Sequence, residues 1–436
     1  MAVSRGTLNK AYVSAINMLD QRDINPALID AANDTGFLKT MQIFGRTKKA
    51  KMPSYHHFVN SDMYATITVG TTTGSGTATV TTALTAGNGF LRVSDTVTFP
   101  NGMQGLVYSK STTSGVDTLV IKSVNGGNLT LVSGNSLSFS GYAVGEESDA
   151  VENRKYDVTK YFNLIQAFRE TDVITDIQKV SKVEFEYNGQ NLYGLYQHAK
   201  KVQALKTAVD LAMIAGRQSV TQYGDATPAL VDANGKPVQT TMGLDEYVTT
   251  YGISDSLATT GTLTFADLKD FAEQLNAAKA PLEFMGYASD SSKIVYDTFF
   301  KGIGSSGITS GRMKLDGKEI DLTVDKYTFG TRTYELVPVQ IFDHPKVLSA
   351  SIKNSIYWIP KGRVNVEGGG MEPRIQIRYL GHNFPGGNEM IGEWHTGALS
   401  PNGNGTKANW EAHWETYQGL EILGANQIAK QSGVAA

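Results

Sequence analysis

The sequence contains no cysteine. Disulfide bonds, thiolate catalysis and cysteine-ligated metals are therefore excluded together. It also holds no run of apolar residues long enough to span a membrane, and its N-terminal stretch has no apolar segment of the signal-peptide kind. We therefore expect a protein that does not enter a membrane, is made in a cytosol and is not exported by the usual signal.

Charge of either sign is also scarce: 19% of the residues are charged and the formal net charge is −3. No basic surface therefore predicts a nucleic-acid partner. The phosphate-loop, zinc-protease and nucleophile-elbow motifs are missing. Neither His56 and His57 nor the pair His395 and His413 has the spacing of metal ligands on one element. The sequence thus predicts no catalytic residue, no cofactor site and no metal site.

Three clusters are compatible either with a site or with a plain structural role. They are the acids Glu146, Glu147 and Asp149, the basic run Lys48, Lys49 and Lys51, and the aromatic group Trp410, His413 and Trp414. Three acids on a loop are typical of a solvated face. The basic run lacks an aromatic stacking platform for single-stranded nucleic acid, which favours a solvated or partner-facing arm. The aromatic group predicts either a ligand cage or, more economically, packing at a subunit contact.

What is present divides the chain into parts. Residues 1–65 are interpreted as an arm, with a short amphipathic helix over Leu8–Leu19 and a polar stretch without clear period. From residue 66 to 145 Thr, Ser, Gly, Val and Asn dominate, and short strands alternate with Gly- and Asn-rich turns, as hairpins require. This second stretch predicts a small all-β module. The following segment, KYFNLIQAFRETDVIT, is interpreted as one strand.

The longest periodic stretch runs from about Gln190 to Arg217, with apolar residues every three or four positions. At about 1.5 Å per residue this predicts a helix about 40 Å long. Its first half carries several lysines, whereas AVDLAMIAG in its second half is almost wholly apolar. We expect the first half to be solvent-exposed and the second half buried. An ordinary core helix of an α+β domain is the alternative to a spine that crosses a layered molecule.

The region beyond this helix alternates helices and strands. Thr264 followed by Asp267 predicts a capping box, with a buried stripe that begins at Phe265. A buried strand, EFMGYAS, a helix from Asp290, a hairpin with its turn at Asp316-Gly317 and further strands follow. This order predicts a compact α+β domain.

The parts in this order resemble the major capsid proteins of tailed bacteriophages, with the Hong Kong 97-type fold. The similarity is most specific in FNLIQAFRETDVITDIQKV…LYGLYQHAKKVQALKTAVDLAMIAGRQS, in KYTFGTRTYELVPVQIFDHP followed by SIYWIPKGRVNV, and in ETYQGLEILGANQIAK. The resemblance implies an α+β capsid fold with the following parts: an N-terminal arm (1–65), an extended loop with an inserted all-β module (66–145), a peripheral domain with the spine helix (146–243), an axial α+β domain (244–345), and return strands of both domains (346–436).

The same resemblance implies a structural subunit without enzymatic activity. It would assemble as pentamers and hexamers into an icosahedral capsid around packaged double-stranded DNA, which it meets only non-specifically. The implied partners are other copies of the chain, a separate scaffolding protein, a portal and head auxiliary proteins, and no membrane. The implied location is the virion, after synthesis in the cytoplasm of a bacterial host. The family's Lys–Asn cross-link is not carried over, since no motif singles out Lys110 or Lys122.

Two other interpretations stay open at this point. A bacterial nanocompartment shell would share the fold but would not need the inserted module. A β-rich carbohydrate-binding surface protein, from a different class, would account for the Thr- and Ser-rich stretch and the tryptophans near the C-terminus, but it should carry an export signal. An enzyme that cleaves polysaccharides would need paired acids in an aromatic cleft.

Overall fold

The structure is a computed structural model. It describes residues 47–60, 67–84, 90–114, 116–146, 158–176, 193–305, 312–315, 318–321, 326–343, 348–366, 370–382, 386–387, 390–400 and 405–434. The predictions made for the helix at Leu8–Leu19, for Glu147 and Asp149, and for the turn at Asp316-Gly317 lie outside the described residues.

The described helices are α1 (Tyr193–Ala215), α2 (Leu244–Tyr251), α3 (Phe265–Ala277), α4 (Asp290–Ser305) and α5 (Ala350–Lys353). The described strands are β1 (Thr47–Lys49), β2 (Ser54–Asn60), β3 (Ile67–Thr73), β4 (Thr79–Leu84), β5 (Asp95–Thr98), β6 (Gln104–Thr113), β7 (Val116–Ser123), β8 (Ser136–Tyr142), β9 (Val158–Leu164), β10 (Gln166–Thr175), β11 (Ile253–Ser256), β12 (Glu283–Ala288), β13 (Arg312–Leu315), β14 (Lys318–Asp321), β15 (Lys326–Phe329), β16 (Arg332–Pro338), β17 (Ile356–Pro360), β18 (Arg363–Val366), β19 (Gly370–Pro373), β20 (Ile375–Tyr379), β21 (Gly386–Gly387), β22 (Ile391–Thr396), β23 (Asn409–Ile422) and β24 (Ala429–Ser432). The chain divides into two compact units, one formed by Met1–Tyr55 with Phe162–Ala436 and the other by His56–Tyr161.

The unit His56–Tyr161 contains a closed barrel. Its strands follow the order β3-β4-β7-β6-β5-β8, and β8 pairs back with β3. Alternate residues point inward and form a core of valine, leucine, isoleucine and phenylalanine side chains. Gly105 stands where β6 comes closest to that core, since a Cβ atom there would lie 2.3 Å from Cγ2 of Ile121. Side chains therefore fill the inside of the barrel. At position 105 there is no room for a residue larger than glycine.

Four charged residues of the barrel form two internal pairs. Asp95 is fully buried, accepts a hydrogen bond of 3.0 Å from the backbone N–H of Arg92 and lies 3.5 Å from its Nε. Lys110 lies 3.0 Å from a carboxylate oxygen of Asp117. These four charges neutralise one another, and many of the exposed residues of the barrel are threonine, serine and glycine.

We expect the excised segment Ile67–Tyr142 to fold alone. Every strand of the barrel has two neighbours within this segment, and its core is its own. Circular dichroism of the purified segment should show a β-sheet spectrum with a cooperative thermal transition. Gly105→Val, which forces a side chain into the core, should abolish that transition. A spectrum of unfolded chain for the unmodified segment would show that the barrel depends on the remainder of the protein.

The other unit contains two six-stranded sheets and the two-stranded sheets β13-β14 and β18-β19. In the first, β23 pairs on one side with β10 along ten residues, from Gln166↔Gln418 to Thr175↔Asn409, and on the other side with β20 and β22. Helix α1 packs against β10 and β23. The segment predicted as one strand is two strands, because the chain changes partner at Ile165: β9 pairs with β2, β10 pairs with β23, and the N–H of Ile165 donates to the carbonyl of Pro53 at 2.8 Å.

The second sheet follows the order β11-β24-β17-β12-β16-β15 and is covered on one face by α3 and α4. The predicted capping box of α3 is confirmed: the Thr264 side chain accepts from the N–H of Asp267, whose carboxylate accepts from the N–H of Thr264. The predicted burial of Phe265 is wrong. As the first residue of α3 it is 56% exposed and meets Phe299 edge-on.

Helix α1 lies within the predicted range, but its burial differs from the prediction. Leu205, Val209 and Met213 are buried, whereas Ala212 is only half-buried and Ala204 is exposed. A helix that lies on one sheet buries a single stripe with a period of 3.6 residues, so positions between the stripe residues face outward even in an apolar segment. The expectation that the whole second half is buried is therefore wrong.

Candidate functional site

The aromatic residues near the C-terminus do not form a cage. His413 stacks on Trp394, with ring centroids 5.2 Å apart and planes at 18°. Trp410 contacts His395 at 5.4 Å, and Trp414 is buried. Since side chains alternate along β23, His413 points to one face of the sheet while Trp410 and Trp414 point to the other. The structure thus separates the three residues that the sequence placed in one group.

His395 and His413, which the sequence analysis considered and did not assign as metal ligands, are engaged by neighbouring side chains. Nδ1 of His413 bonds the Thr171 hydroxyl at 3.1 Å, and its Nε2 bonds the Thr396 hydroxyl at 2.8 Å. Nδ1 of His395 accepts from Nε1 of Trp410 at 3.2 Å. Within the described ranges, no group of three or more histidine, aspartate or glutamate side chains is arranged to hold a metal ion. Both rings therefore help to order the sheet.

The basic run belongs to the subunit's own structure at Lys48. Its ammonium group binds the carboxylate of Glu372, and this hydrogen bond lowers the pKa of Glu372. β1, which carries Lys48 and Lys49, pairs in parallel with β20. One cation of the run is thus committed to an internal ion pair, which weakens its interpretation as a nucleic-acid patch. Of the acidic cluster, Glu146 is described and is exposed, as on a solvated face.

A joint between α1, α2 and both sheets is the most developed polar arrangement of this unit. The backbones of Gly216 and Gly243 come so close that a Cβ on Gly243 would lie 2.7 Å from the nitrogen of Gly216. The N–H of Gly243 donates to the carbonyl of Gly216 at 2.9 Å. Asn163 fixes the same region, since its Nδ2 donates to the carbonyls of Met242 at 2.9 Å and Leu420 at 2.7 Å.

Asp245, in the first turn of α2, is the centre of this joint. One carboxylate oxygen accepts from Nζ of Lys430 at 2.7 Å and from the hydroxyl of Tyr357 at 2.8 Å. The other accepts from Nη2 of Arg217 at 2.6 Å. A buried carboxylate with two cations and a hydroxyl is strongly held in place. The sequence alone did not single out Asp245, because its partners lie 28, 112 and 185 residues away.

The charge of Asp245 links this joint to pH. Burial alone would raise the pKa of Asp245, but the hydrogen bonds from Lys430 and Tyr357 and the nearby cations outweigh burial, so its pKa is lowered. A lowered pKa contributes stability above the carboxyl's ordinary range, about pH 4, and that contribution is lost as the pH falls through the folded-state pKa. The joint is therefore expected to weaken only in strong acid.

The comparison with protein families decides what kind of protein carries these features. The family model of the SU10 major capsid protein matches residues 17–354. The chain belongs to this family of major capsid proteins. No curated protein matches the sequence of this capsid protein. Within the described residues no helix has both the length and the apolar character that a membrane span requires.

Solved structures similar to this capsid protein include a phage structure, a GTA capsid and an encapsulin complex. The structure titled Microbacterium phage Oxtober96 is 8% identical, with 98% of this chain and 99% of that chain covered, at a TM-score of 0.43. The capsid of a native GTA particle is 10% identical, with 98% of this chain and 99% of that chain covered, at a TM-score of 0.40. The holo-SrpI encapsulin complex from Synechococcus elongatus PCC 7942 is 15% identical, with 65% of this chain and 78% of that chain covered, at a TM-score of 0.35. Because these scores are low, the assignment rests on the family model.

The two lysines considered for cross-linking differ in this capsid protein. Nζ of Lys110 donates to the carbonyl of Leu91 at 2.8 Å and pairs with Asp117, so it is already engaged inside the barrel. Nζ of Lys122 lies 3.2 Å from the ring centroid of Tyr108, a cation–π contact on the barrel surface. Neither position shows a feature that prepares it for a covalent bond.

Proposed function

We propose that this capsid protein builds a closed icosahedral shell from pentamers and hexamers, and that the shell encloses packaged double-stranded DNA. The match to the SU10 family over residues 17–354 carries this proposal. Several large apolar side chains are exposed on the single chain, and in this proposal they are available for contacts with other subunits. They include Met52, Phe58, Val220, Ile294 and Met371, at 64%, 63%, 84%, 61% and 63%.

In this proposal the parts take the roles that the resemblance implies. Residues 1–65 form the arm, 66–145 the extended loop with its barrel, 146–243 the peripheral domain with α1 as spine helix, 244–345 the axial domain, and 346–436 the return strands. The Asp245 joint then keeps the peripheral and axial sheets in a fixed relation within one unit. A subunit that repeats many times in a shell needs such rigidity, because small errors of angle accumulate around a ring.

The proposed partners are further copies of the chain, a separate scaffolding protein, a portal and head auxiliary proteins. The proposed location is the capsid of a virion assembled in a bacterial host. A formal net charge of −3 suits a shell that meets DNA only non-specifically, since a strongly basic lining would bind the phosphate backbone. Under this proposal the chain carries no catalytic site and no cofactor.

We expect the purified chain, alone or with its scaffolding partner, to assemble into rings or closed shells. Light scattering should show a concentration-dependent rise in particle mass, and negative-stain images should show rings of five or six subunits or closed particles. A monomer that persists at every concentration, with and without the scaffolding partner, would contradict the proposed function.

We expect deletion of about the first 40 residues to leave a folded subunit that does not assemble. The sequence of this arm offers few core-like residues, so its apolar positions have more to gain from neighbouring subunits than from its own. Circular dichroism should be close to that of the full chain, while light scattering should show no particles. Normal shells from the shortened chain would show that the arm has no role in assembly.

A further inference from the structure

Strand β10 forms one side of its sheet, and hydrogen bonds on β23 show which way its backbone points. The carbonyl of Tyr417 accepts from the N–H of Leu380 at 3.1 Å, and the carbonyl of Asn409 accepts from the N–H of Leu399 at 3.1 Å. The odd-numbered residues of β23 therefore point toward β20 and β22. In an antiparallel pair, backbone groups alternate between the two sides of a strand. The even-numbered residues of β23 consequently point toward β10.

The register then fixes the direction of each residue of β10. Odd-numbered residues of β10 lie opposite odd-numbered residues of β23, as Thr171 does opposite His413, so their N–H and C=O groups point away from β23. At the start of this outer edge, the backbone of Ala167 bonds the hydroxyl of Tyr223. Further along, no backbone partner within the described ranges reaches the outward groups of Arg169, Thr171 and Val173.

This outer edge carries the charged residues Arg169, Glu170 and Asp172, but it lacks the other features that normally protect an edge strand. β10 contains no proline, glycine or lysine, and its register with β23 runs without a bulge over ten residues. The side chains of Arg169, Thr171 and Val173 are exposed, with Val173 at 45%. The strands at the other described edges of the two large sheets, β1, β11, β15 and β21, have two to four residues. Long, open edges of this kind pair with further strands.

We propose that the edge from Arg169 to Val173 takes an extended segment of a second copy of the chain, which adds a strand to the sheet beside β10. This inference rests on the proposed function, since the family builds capsids from many copies of one subunit. In such an assembly the second copy is present at a far higher local concentration than any other chain. Backbone hydrogen bonds to three outward residues supply the contact, and Val173 offers an apolar neighbour.

The added strand comes from a part of the second copy other than β10. In a two-fold pairing of β10 with itself centred on Thr171, Glu170 of one copy lies opposite Asp172 of the other. In a pairing centred on Glu170 or on Asp172, that carboxylate lies opposite its own equivalent. Like charges in direct opposition destabilise a strand pair. The contact is therefore heterologous, the kind that produces rings and lattices, whereas a self-pairing would stop at a dimer.

Hydrogen–deuterium exchange of the unmodified chain tests this directly. In the unassembled subunit, the amides of Arg169, Thr171 and Val173 should exchange fast, while those of Glu170 and Asp172, which point toward β23, should be protected. In assembled particles the exchange of the three odd-numbered amides should slow by at least about a hundredfold, because a hydrogen-bonded amide exchanges only when the structure opens locally. Particles in which they still exchange fast would overturn this inference and leave the proposed function intact. Failure of all assembly would contradict both.

A pair of variants at one position supplies a second test. Val173→Pro removes an outward N–H without touching the ladder to β23, so the subunit should stay folded and lose assembly. Val173→Ala keeps the N–H and should assemble. Asp172→Pro removes an N–H that points toward β23 and should unfold the sheet. The contrast with Val173→Pro shows that the assay distinguishes N–H groups that point toward β23 from those that point away from it. Normal particles from Val173→Pro would overturn the inference. If Val173→Pro is insoluble, Thr171→Pro takes its place and the exchange measurement decides by itself.

Discussion

Replacing Met213 by aspartate is expected to leave the subunit insoluble. Met213 lies in the buried stripe of α1 together with Leu205 and Val209 and has no exposed surface, and α1 packs against β10 and β23. A carboxylate there has no partner, and an unpaired buried charge costs about 3–5 kcal/mol. The stability of an ordinary domain is about 5–15 kcal/mol, so the substitution removes a large part of it and raises the unfolded fraction by about a hundredfold or more.

The matched control for this change is Ala204→Asp on the same helix. Ala204 is exposed, and a surface substitution of this kind changes stability by about 0.5 kcal/mol or less. Soluble yield and thermal unfolding, measured for both variants, should therefore separate them completely. Equal yields would mean that α1 does not lie on the sheet as described. Ala212 is a poorer test position because it is half-buried, and Lys201→Glu would bring two carboxylates together, since Lys201 binds Glu170 at 2.8 Å.

Replacing Gly286 by alanine is expected to destabilise the second sheet strongly. A Cβ atom at this position would lie 2.5 Å from Cζ3 and 2.7 Å from Cε3 of Trp358. The indole ring is fully buried and packs against Phe271, Tyr296 and Tyr334, so it has no room to retreat. Overpacking of a core usually costs about 1–3 kcal/mol, and a rigid ring places this case at the upper end.

A loss of about 3 kcal/mol corresponds to a fall of about 4 °C in the melting temperature of a unit as large as the one that contains Gly286. Differential scanning calorimetry of Gly286→Ala should show that fall. Gly145→Ala is the control, because a Cβ there meets no atom within 4 Å. The double variant Gly286→Ala with Trp358→Phe should recover part of the stability, since phenylalanine vacates the space that the new methyl group needs. An unchanged transition in Gly286→Ala would contradict the packing described for Trp358.

Local signals in the sequence were sufficient for the elements but not for their burial. The period of α1 predicted a helix, and Thr264 with Asp267 predicted the start of α3, because both signals lie within a few residues. Burial of Ala212 and Phe265 was predicted wrongly, since hydrophobicity alone does not say which side of a helix meets a sheet. The single strand predicted before α1 is two, because the change of partner at Ile165 depends on Pro53, far away in the chain.

The polar joint and the open edge were beyond sequence reasoning for the same physical reason. Asp245 contacts Tyr357 and Lys430 only in the folded unit. Neither the types of these residues nor their spacing in the sequence predicts that contact. The outward direction of Thr171 follows from its register with His413, which is set by strand pairing across the unit. The sequence left open a cage of Trp410, His413 and Trp414 as the less economical alternative, and the structure does not form it because neighbouring positions of a strand face opposite ways.

The closed barrel has a consequence for crowding. A shell would hold many copies of this module close together, and there an open strand edge would be a template for pairing between copies. The ring β3-β4-β7-β6-β5-β8 returns to its first strand, so none of its strands can be shared with a neighbour. Its residues Asp95 and Asp117 are paired internally, and its hydroxyl-rich surface stays hydrated. The barrel can therefore be packed densely and remain a separate body in every copy.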